Sequence, residues 1–272
     1  MRVWIKLGVV AVALLLGACK SNQTIYALTA TGSLIEFDTS DPTSLNNQVS
    51  VSGLDTDESL VQICFRPSTG VLYGLSSNNR VVTIDTSTGT VSPVASSGFT
   101  SDTLASPIIG IDPVVDSMRV IATDVNDRVN LGAGTLDATA TAVAYDSGDT
   151  NDGSTPALAA LAYDNPAAGA TSTTLFALDV TTQSLVRVGS SGVNTTSTTD
   201  EGLLHTIGKL GVSFSSSAGF AITSDGKDAY AVLKTSGAAS KLYTIDLGGG
   251  GASLIDTVGG GDLTLISLAI AP

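Results

Sequence analysis

Carboxylates beside apolar segments are the groups in this sequence that could do hydrolytic chemistry. Glu58 lies two residues before the apolar segment Leu60–Phe65, whereas Asp112 and Asp164 each end another apolar segment. Two carboxyl groups about 5–9 Å apart, one with a raised pKa, can cleave a glycosidic bond. Asp112 and Asp164 could ring one mouth of a channel and, with Glu58, serve a carbohydrate-active hydrolase or lyase. The interpretation we favour is that such Asp residues cap turns at strand ends.

Two acidic loops contain oxygen ligands of the kind that Ca²⁺ prefers. The candidates for holding a ligand or ion are Asp124, Asn126, Asp127, Asp149, Asn151 and Asp152. Neither loop has the Asp-x-Asx-x-Asx-Gly spacing, with a distant Glu, of a helix-flanked calcium loop. We therefore expect no required cofactor and assign no metal site, and calcium stays open as an alternative.

The composition and motifs argue against zinc binding, nucleophilic catalysis and nucleic-acid binding. The 272 residues include one histidine, His205, and two cysteines, Cys19 and Cys64, which is too few for a zinc site made of His and Cys. No Gly-x-Ser-x-Gly motif accompanies His205, and Cys64 lies in an apolar strand where we expect a small buried hydrophobe. Twelve basic and 25 acidic side chains give a net charge of −13, which argues against nucleic-acid binding.

The N-terminus has the layout of an export signal. Residues 1–18 contain Arg2, Lys6 and then an uninterrupted apolar run, which is too short for a permanent membrane span. The tetrapeptide Leu16-Gly17-Ala18-Cys19 resembles the lipobox of bacterial lipoproteins. That resemblance implies cleavage before Cys19, acyl chains on Cys19, and a short tether over residues 19–23. The alternative is an ordinary signal peptide with an incidental cysteine. In enteric bacteria, an Asp directly after the acylated cysteine retains a lipoprotein at the inner membrane. This sequence has Lys20 there, so we expect the protein at the outer membrane of a bacterial cell envelope.

Short β-branched segments recur through residues 24–272 in groups of four, at intervals of about 46–60 residues, as in the blades of a propeller. The first segment of each group is an apolar run that ends in Pro or in an Asp turn. The N-terminal group lacks that segment, and Leu265–Pro272 supplies one of the missing type. We therefore predict an all-β fold, one β-propeller domain of five four-stranded blades, with the C-terminal strand closing the first blade. A β-sandwich or a β-solenoid is the alternative.

The order of these segments resembles a known family. Pro107–Ile121 is similar to a family motif in which Asp-Phe-Asn-Pro precedes an Asp-Arg-x-Arg-Val run, and residues 126–135, 158–163 and 206–211 follow in the same order. The family is DUF4394, a bacterial domain of unknown function with a propeller-like repeat. The resemblance covers nearly all of residues 24–272 and implies the fold, without an established activity. Ser117 departs from the family pattern, which has Arg there.

These observations lead to a functional hypothesis. We expect a lipid-anchored, extracytoplasmic propeller that is a non-enzymatic binding or scaffold module. Its expected partners are the membrane, through the acyl chains on Cys19, and an envelope protein or a glycan. We expect a monomer that does not bind nucleic acid. The carbohydrate-active hydrolase or lyase is the competing hypothesis.

Overall fold

The computed structural model describes residues 21–193, 202–235 and 237–272, and they form five β-sheets arranged as the blades of a ring. Turns that need a left-handed backbone separate the strands, and most of those positions are glycine or Asn, as steric limits require. Among the described residues the single helical turn is a 3₁₀ segment, Gly259–Gly261. No helix in those ranges has the length and apolarity needed to cross a bilayer.

The strands of each blade follow one another from the axis outward and pair antiparallel, with one exception in blade 4. Blade 1 contains β21 (Leu265–Ile270), β1 (Thr24–Thr29), β2 (Ser33–Asp38) and β3 (Asp41–Ser50). Blade 2 contains β4 (Leu60–Phe65), β5 (Leu72–Ser76), β6 (Val81–Ile84) and β7 (Val91–Pro93). Blade 3 contains β8 (Ile108–Asp112), β9 (Ser117–Ala122), β10 (Val125–Asn130) and β11 (Leu136–Thr139). Blade 4 contains β13 (Leu158–Tyr163), β14 (Thr173–Asp179), β15 (Ser184–Val193), β16 (Leu203–Lys209) and β12 (Ala144–Tyr145). Blade 5 contains β17 (Ala218–Ile222), β18 (Ala229–Lys234), β19 (Ser240–Ile245) and β20 (Ala252–Thr257).

The C-terminal strand closes the ring. β21 pairs antiparallel with β1, with Ile270 opposite Ile25 and Leu268 opposite Ala27. Closure covers an inner strand edge that would otherwise be open to pairing with another chain. The predicted propeller, its five blades and its closure by the last strand are therefore confirmed.

Blade 4 differs from the prediction because it has a fifth strand. The link between blades 3 and 4 runs along the outer edge of blade 4, where β12 pairs parallel with β16. The Tyr145 hydroxyl fastens it by donating to Asp179 Oδ2 at 2.5 Å, and Asp179 Oδ1 accepts the Ala157 backbone N–H at 2.8 Å. Two residues are too few to show a strand periodicity in the sequence, so the pattern gave no sign of β12.

Five apolar cores, one between each pair of neighbouring blades, hold the ring together. The residues of each inner strand alternate between the cores on its two sides: in β13, Ala160 packs against blade 5 and Leu161 against blade 3. The second strands β5, β9 and β14 are buried along their whole length. Because both faces of each blade are covered, these strands are nearly continuous apolar runs rather than alternating ones.

The closing strand is also joined to blade 2 by a buried polar cluster. Ser267 Oγ accepts the Ile63 backbone N–H at 3.0 Å and donates to Gln62 Oε1 at 2.9 Å. Gln62 Nε2 in turn donates to the Ile266 carbonyl at 3.0 Å. Ser267 is 1% exposed, so these bonds form without competition from water.

We expect Ser267→Ala to destabilise the protein by about 1–3 kcal/mol, because it leaves the buried Ile63 N–H and the Gln62 side-chain oxygen without their partner. Urea unfolding followed by circular dichroism measures the loss. Ser253→Ala, the same change at an exposed position on β20, is the matched control and should leave the midpoint unchanged. Equal midpoints for the two variants would show that the cluster does not stabilise the closure.

Candidate functional site

The five inner strands line a narrow axial channel that opens where these strands end. Its cavity holds about 60 Å³, and its wall is mostly apolar. The residues that line its outer part are Phe65, Pro67, Ile111, Tyr163, Pro166, Ile222, Ile270 and Pro272. We call this end of the ring the mouth face, made by residues 22–23 and 271–272 and by the loops 66–71, 113–116, 164–172 and 223–228.

The opposite end, the back face, is made by the segments that precede the inner strands: 53–59, 94–107, 146–157, 210–217 and 258–264. It carries a wider, open depression of about 440 Å³. None of the described residues that line this depression carries a charged side chain, although the protein is strongly acidic. Its polar residues carry hydroxyls and amides, and they are Gln62, Ser77, Asn79, Thr103, Ser106, Ser216 and Ser217. Gln62 lines both this depression and the channel.

Asp112 and Asp164 lie at the mouth face, as expected, but each is engaged in its own turn. Asp112 is 1% exposed, and its Oδ1 accepts the backbone N–H groups of Val114 at 2.8 Å and Val115 at 3.3 Å. Asp164 Oδ1 accepts the Thr174 N–H at 2.5 Å and the Thr173 hydroxyl at 3.1 Å. Both carboxylates therefore cap the turn that leads from the inner to the second strand.

Glu58 lies at the back face, because it precedes its inner strand whereas Asp112 and Asp164 end theirs. An inner strand of five or six residues spans about 17–20 Å, well beyond the 5–9 Å that a carboxylate pair requires. Glu58 Oε1 accepts from Arg80 Nε at 2.8 Å, its Oε2 accepts from Arg80 Nη2, and the Asp55 N–H also donates to it at 3.0 Å. The Arg80 guanidinium lowers the pKa of Glu58 to about 2. The structure thus separates Glu58 from Asp112 and Asp164, and Glu58 is an ion-pair partner held ionised.

We expect Glu58→Gln to lose roughly 3 kcal/mol of stability at pH 7, since the folded protein lowers this pKa from 4.5 to about 2. A lowered pKa stabilises the folded state above pH 4.5, and the contribution is lost as the pH falls towards 2. The unfolding free energy of the variant should therefore vary less over that window than that of the wild type. Asp57→Asn, at the exposed neighbouring carboxylate, is the control. Parallel pH profiles for Glu58→Gln and wild type would contradict the prediction.

The second acidic loop is bonded to blade 4. Asp149 Oδ2 accepts the Thr206 backbone N–H at 2.6 Å, and Asp149 Oδ1 accepts the Thr206 hydroxyl at 2.6 Å. Asn151 donates to the same hydroxyl oxygen at 2.8 Å, while Asp152 is exposed. The polar groups of Asp149 and Asn151 therefore fasten the loop to β16.

The first acidic loop belongs to blade 3. Asp124 is exposed in the turn before β10, and Asp127 is 7% exposed. Asn126 is fully buried; its Oδ1 accepts from Arg119 Nη1 at 2.9 Å and its Nδ2 donates to the Thr141 carbonyl at 2.8 Å. In the part of the chain that the structure describes, no three His, Cys, Asp or Glu side chains are grouped so that they could hold a metal ion. Calcium, which the sequence left open as an alternative in these loops, stays untested.

The two cysteines and the single histidine lie in different parts of the chain. Cys19 lies outside the described residues. Cys64 is a free, half-buried thiol in β4, and burial raises its pKa to about 11. His205 Nδ1 lies 3.7 Å from Asp146 Oδ2 on the outer side of blade 4.

We expect the Cys64 thiol to react slowly with a disulfide reagent at neutral pH. Raising a thiol pKa from 9 to about 11 lowers its thiolate fraction about a hundredfold. A Cys19→Ser chain leaves Cys64 as the single thiol, and its reaction rate in buffer is compared with the rate in urea. A native rate as fast as the rate in urea would instead identify an accessible, reactive thiol.

One ion pair at the mouth face was missed from the sequence. Arg66 donates to both carboxylate oxygens of Asp116, with Nε–Oδ1 2.9 Å and Nη2–Oδ2 2.5 Å, and thereby joins blade 2 to blade 3. Arg66 Nη1 also donates to the Tyr73 hydroxyl at 3.2 Å. The Arg66 guanidinium holds the pKa of the Asp116 carboxyl below its usual range. Aligning the two loops on Pro67 and Pro113 matches Arg66 with Asp112 rather than with Asp116, so the sequence repeat gives no sign of this pair.

The ring of five sheets, with an axial channel and closure by the last strand, defines a five-bladed β-propeller. Its sequence matches the family pattern of DUF4394, a domain of unknown function, over residues 33–269, and the chain belongs to that family. A comparison with curated proteins found no match.

Comparison with solved structures gives likeness at the level of the fold. A chain of the nidogen/laminin complex superposes with a TM-score of 0.50 at 12% identity, covering 93% of this chain and 99% of that one. TolB from Acinetobacter baumannii gives a TM-score of 0.47 at 14% identity over 87% of this chain. This chain spans about half, 53%, of the length of TolB. A protein of unknown function from Bacteroides thetaiotaomicron gives 0.47 at 10% identity, covering 77% of this chain and 53% of that one.

Proposed function

We propose that this protein is a non-enzymatic binding module held at the bacterial outer membrane by acyl chains on Cys19. The ring presents two rigid faces, and a partner, either an envelope protein or a glycan, binds one of them. The observation that carries the proposal is the state of the carboxylates that would have to do catalysis. Asp112 and Asp164 cap their own turns, and Glu58 is paired with Arg80 at the other end of the channel.

The channel itself supports the same conclusion. A glycoside hydrolase needs room for a sugar ring beside a carboxylic acid with a raised pKa. The channel holds about 60 Å³, enough for a few water molecules, and its wall is mostly apolar. A body built in this way suits recognition by its loops, because loops on a rigid scaffold can bind a partner without moving the core.

The membrane anchor rests on the sequence and on charge. Loss of the signal removes Arg2 and Lys6, which takes the net charge from −13 to −15. A body of this charge is repelled by an anionic lipid surface, so an acyl anchor is needed to keep it there. More than one acyl chain makes such anchoring stable, whereas a single chain is marginal.

The test is site-specific photo-cross-linking of the full chain in cells at native expression. A photoreactive residue replaces Ser101 on the back face or Ala168 on the mouth face, both of which are exposed. The expected result is one reproducible envelope partner from one face, which then binds the purified domain in isolation. With the photoreactive residue at the same position in a Cys19→Ser chain, the cross-link to the partner should disappear, because the acyl anchor no longer brings the protein to its partner.

Two outcomes would overturn the proposal. One is the absence of any adduct or glycan binding from either face. The other is turnover of a polysaccharide that Asp112→Asn abolishes while the fold is kept. The Asn side chain retains an oxygen that can accept from Val114, so loss of activity in this variant would not reflect loss of the turn.

A further inference from the structure

The residues just before β1 are fastened to the body of the ring. Asn22 Oδ1 accepts the Ser40 backbone N–H at 3.1 Å, and the Gln23 N–H donates to Thr39 Oγ1 at 2.9 Å. The Thr39 N–H donates back to the Gln23 carbonyl at 2.9 Å. The point at which the chain leaves the propeller is therefore Asn22, not the first residue of β1.

This exit point lies at the mouth face. The carbonyl of Thr24, the first residue of β1, accepts the Ala271 N–H at 3.0 Å, next to Pro272 at the rim of the cavity. β1 is the second strand from the axis, so two strands lie between the exit point and the outer edge of blade 1. At about 4.8 Å per strand, the exit point is some 10 Å inside that edge.

The tether between the exit point and the acylated residue is short. Three peptide units separate Cys19 from Asn22, and at 3.8 Å per unit they extend to about 11 Å at most. The inner strands alone span about 17–20 Å, so the tether does not reach from the mouth face to the back face. An acyl group on Cys19 therefore reaches a bilayer on the mouth side of the ring, whereas a bilayer on the back side lies beyond the length of the tether.

We infer that the mouth face lies against the membrane and that the back face, which carries the open depression, points away from it. This inference rests on the proposed anchor at Cys19, and it assigns the orientation of the proposed binding module. The mouth of the channel then opens towards the lipid headgroups, and a soluble partner reaches the segments 94–107 and 210–217 of the back face.

The acidic mouth face is not attracted to a lipid surface, so the tether alone must set this orientation. Exposed acidic residues such as Asp41 and Asp225 lie beside the mouth, and an acidic surface gains nothing from anionic or zwitterionic headgroups. The protein without its anchor should therefore not bind vesicles, and the orientation should come from the position of Cys19 alone.

The test measures how close three positions come to a bilayer. A fluorescent non-natural residue replaces Ala168 on the mouth face, Ser101 on the back face, or Gln48 on the outer strand of blade 1, each of which is exposed. The mature chain, in a Cys64→Ala background, is coupled through Cys19 to a maleimide lipid in phosphatidylcholine vesicles that carry a quencher in the acyl region. The acylated protein extracted from cells is reconstituted in parallel.

The expected result is quenching several-fold stronger at residue 168 than at residues 48 and 101, and none in a Cys19→Ser chain. Strongest quenching at residue 48 would mean that blade 1 lies edge-on, and strongest quenching at residue 101 would reverse the faces; either overturns the inference. Equal quenching at all three positions also overturns it. Coupling to the maleimide lipid supplies the anchor, so the orientation can be measured even if the protein from cells carries no acyl chain. The absence of an acyl chain on the protein from cells would refute the proposed function, independently of the orientation.

Discussion

A chain that ends at Thr264 is expected to lose cooperative folding. Removal of residues 265–272 takes away the inner strand of blade 1 and leaves one edge of β1 without its partner. It also removes three large buried aliphatic side chains, Leu265, Leu268 and Ile270, from the ring. At about 1.5–3 kcal/mol for each side chain, the loss is comparable to the whole stability of a typical domain, about 5–15 kcal/mol.

Urea unfolding measured by circular dichroism checks this expectation. A chain that ends at Ala271 and lacks only the exposed Pro272 is the matched control, and it should unfold as the full chain does. A synthetic peptide of residues 264–272, added to the truncated chain, should restore the transition by adding the missing strand. A truncated chain that still unfolds cooperatively at the wild-type midpoint would contradict closure by β21.

The second large effect is expected from Gly219→Ala in β17. A Cβ atom on Gly219 would lie 2.3 Å from the Leu268 backbone nitrogen and 2.6 Å from the Ser267 carbonyl carbon. These are backbone atoms of the closing strand, so the contact can be relieved only if blades 5 and 1 move apart. We expect a loss of about 3 kcal/mol, at the upper end of the cost of overpacking a core.

Gly110→Ala in β8 is the matched control, because it adds the same atom to another inner strand. Its Cβ would lie 3.3 Å from Tyr163 Cδ2, a side-chain atom that can shift slightly. We expect a loss below about 1.5 kcal/mol for this variant, since a small shift of a ring relieves the contact. Equal losses for the two variants in thermal and urea unfolding would show that the close approach of β17 and β21 is not what limits this position.

The ring could be predicted from the sequence because the inner strands share a pattern. Each is an apolar run that ends in Pro or in a polar turn. Leu265–Pro272 has the same pattern, but no second, third and fourth strand segments follow it in the sequence. Burial on both faces forces this composition on every inner strand, so the pattern follows from the packing. β12 was missed because two residues paired at an edge leave no periodicity. The cluster of Gln62 and Ser267 was missed because its members are 205 positions apart.

The candidate site was less predictable than the fold, because the sequence does not show whether an acidic residue such as Glu58 is catalytic or structural. Acidic residues near apolar strands have the composition of a hydrolase and also that of turn caps and ion pairs. Glu58 precedes its strand whereas Asp112 and Asp164 end theirs, and this order alone places it at the other end of the channel. The pairing with Arg80, 22 residues away, depends on how blade 2 folds and cannot be obtained from spacing.

The most direct test of the functional account is the mass of the N-terminal peptide of the protein taken from its own cell membranes. Acylation at Cys19 predicts a proteolytic peptide that begins at Cys19 and carries a diacylglyceryl thioether and an acyl group on its amino nitrogen. It also predicts that Cys19→Ser moves the protein out of the membrane fraction. An unmodified Cys19, or cleavage at another residue with the protein found free of the membrane, would contradict the account.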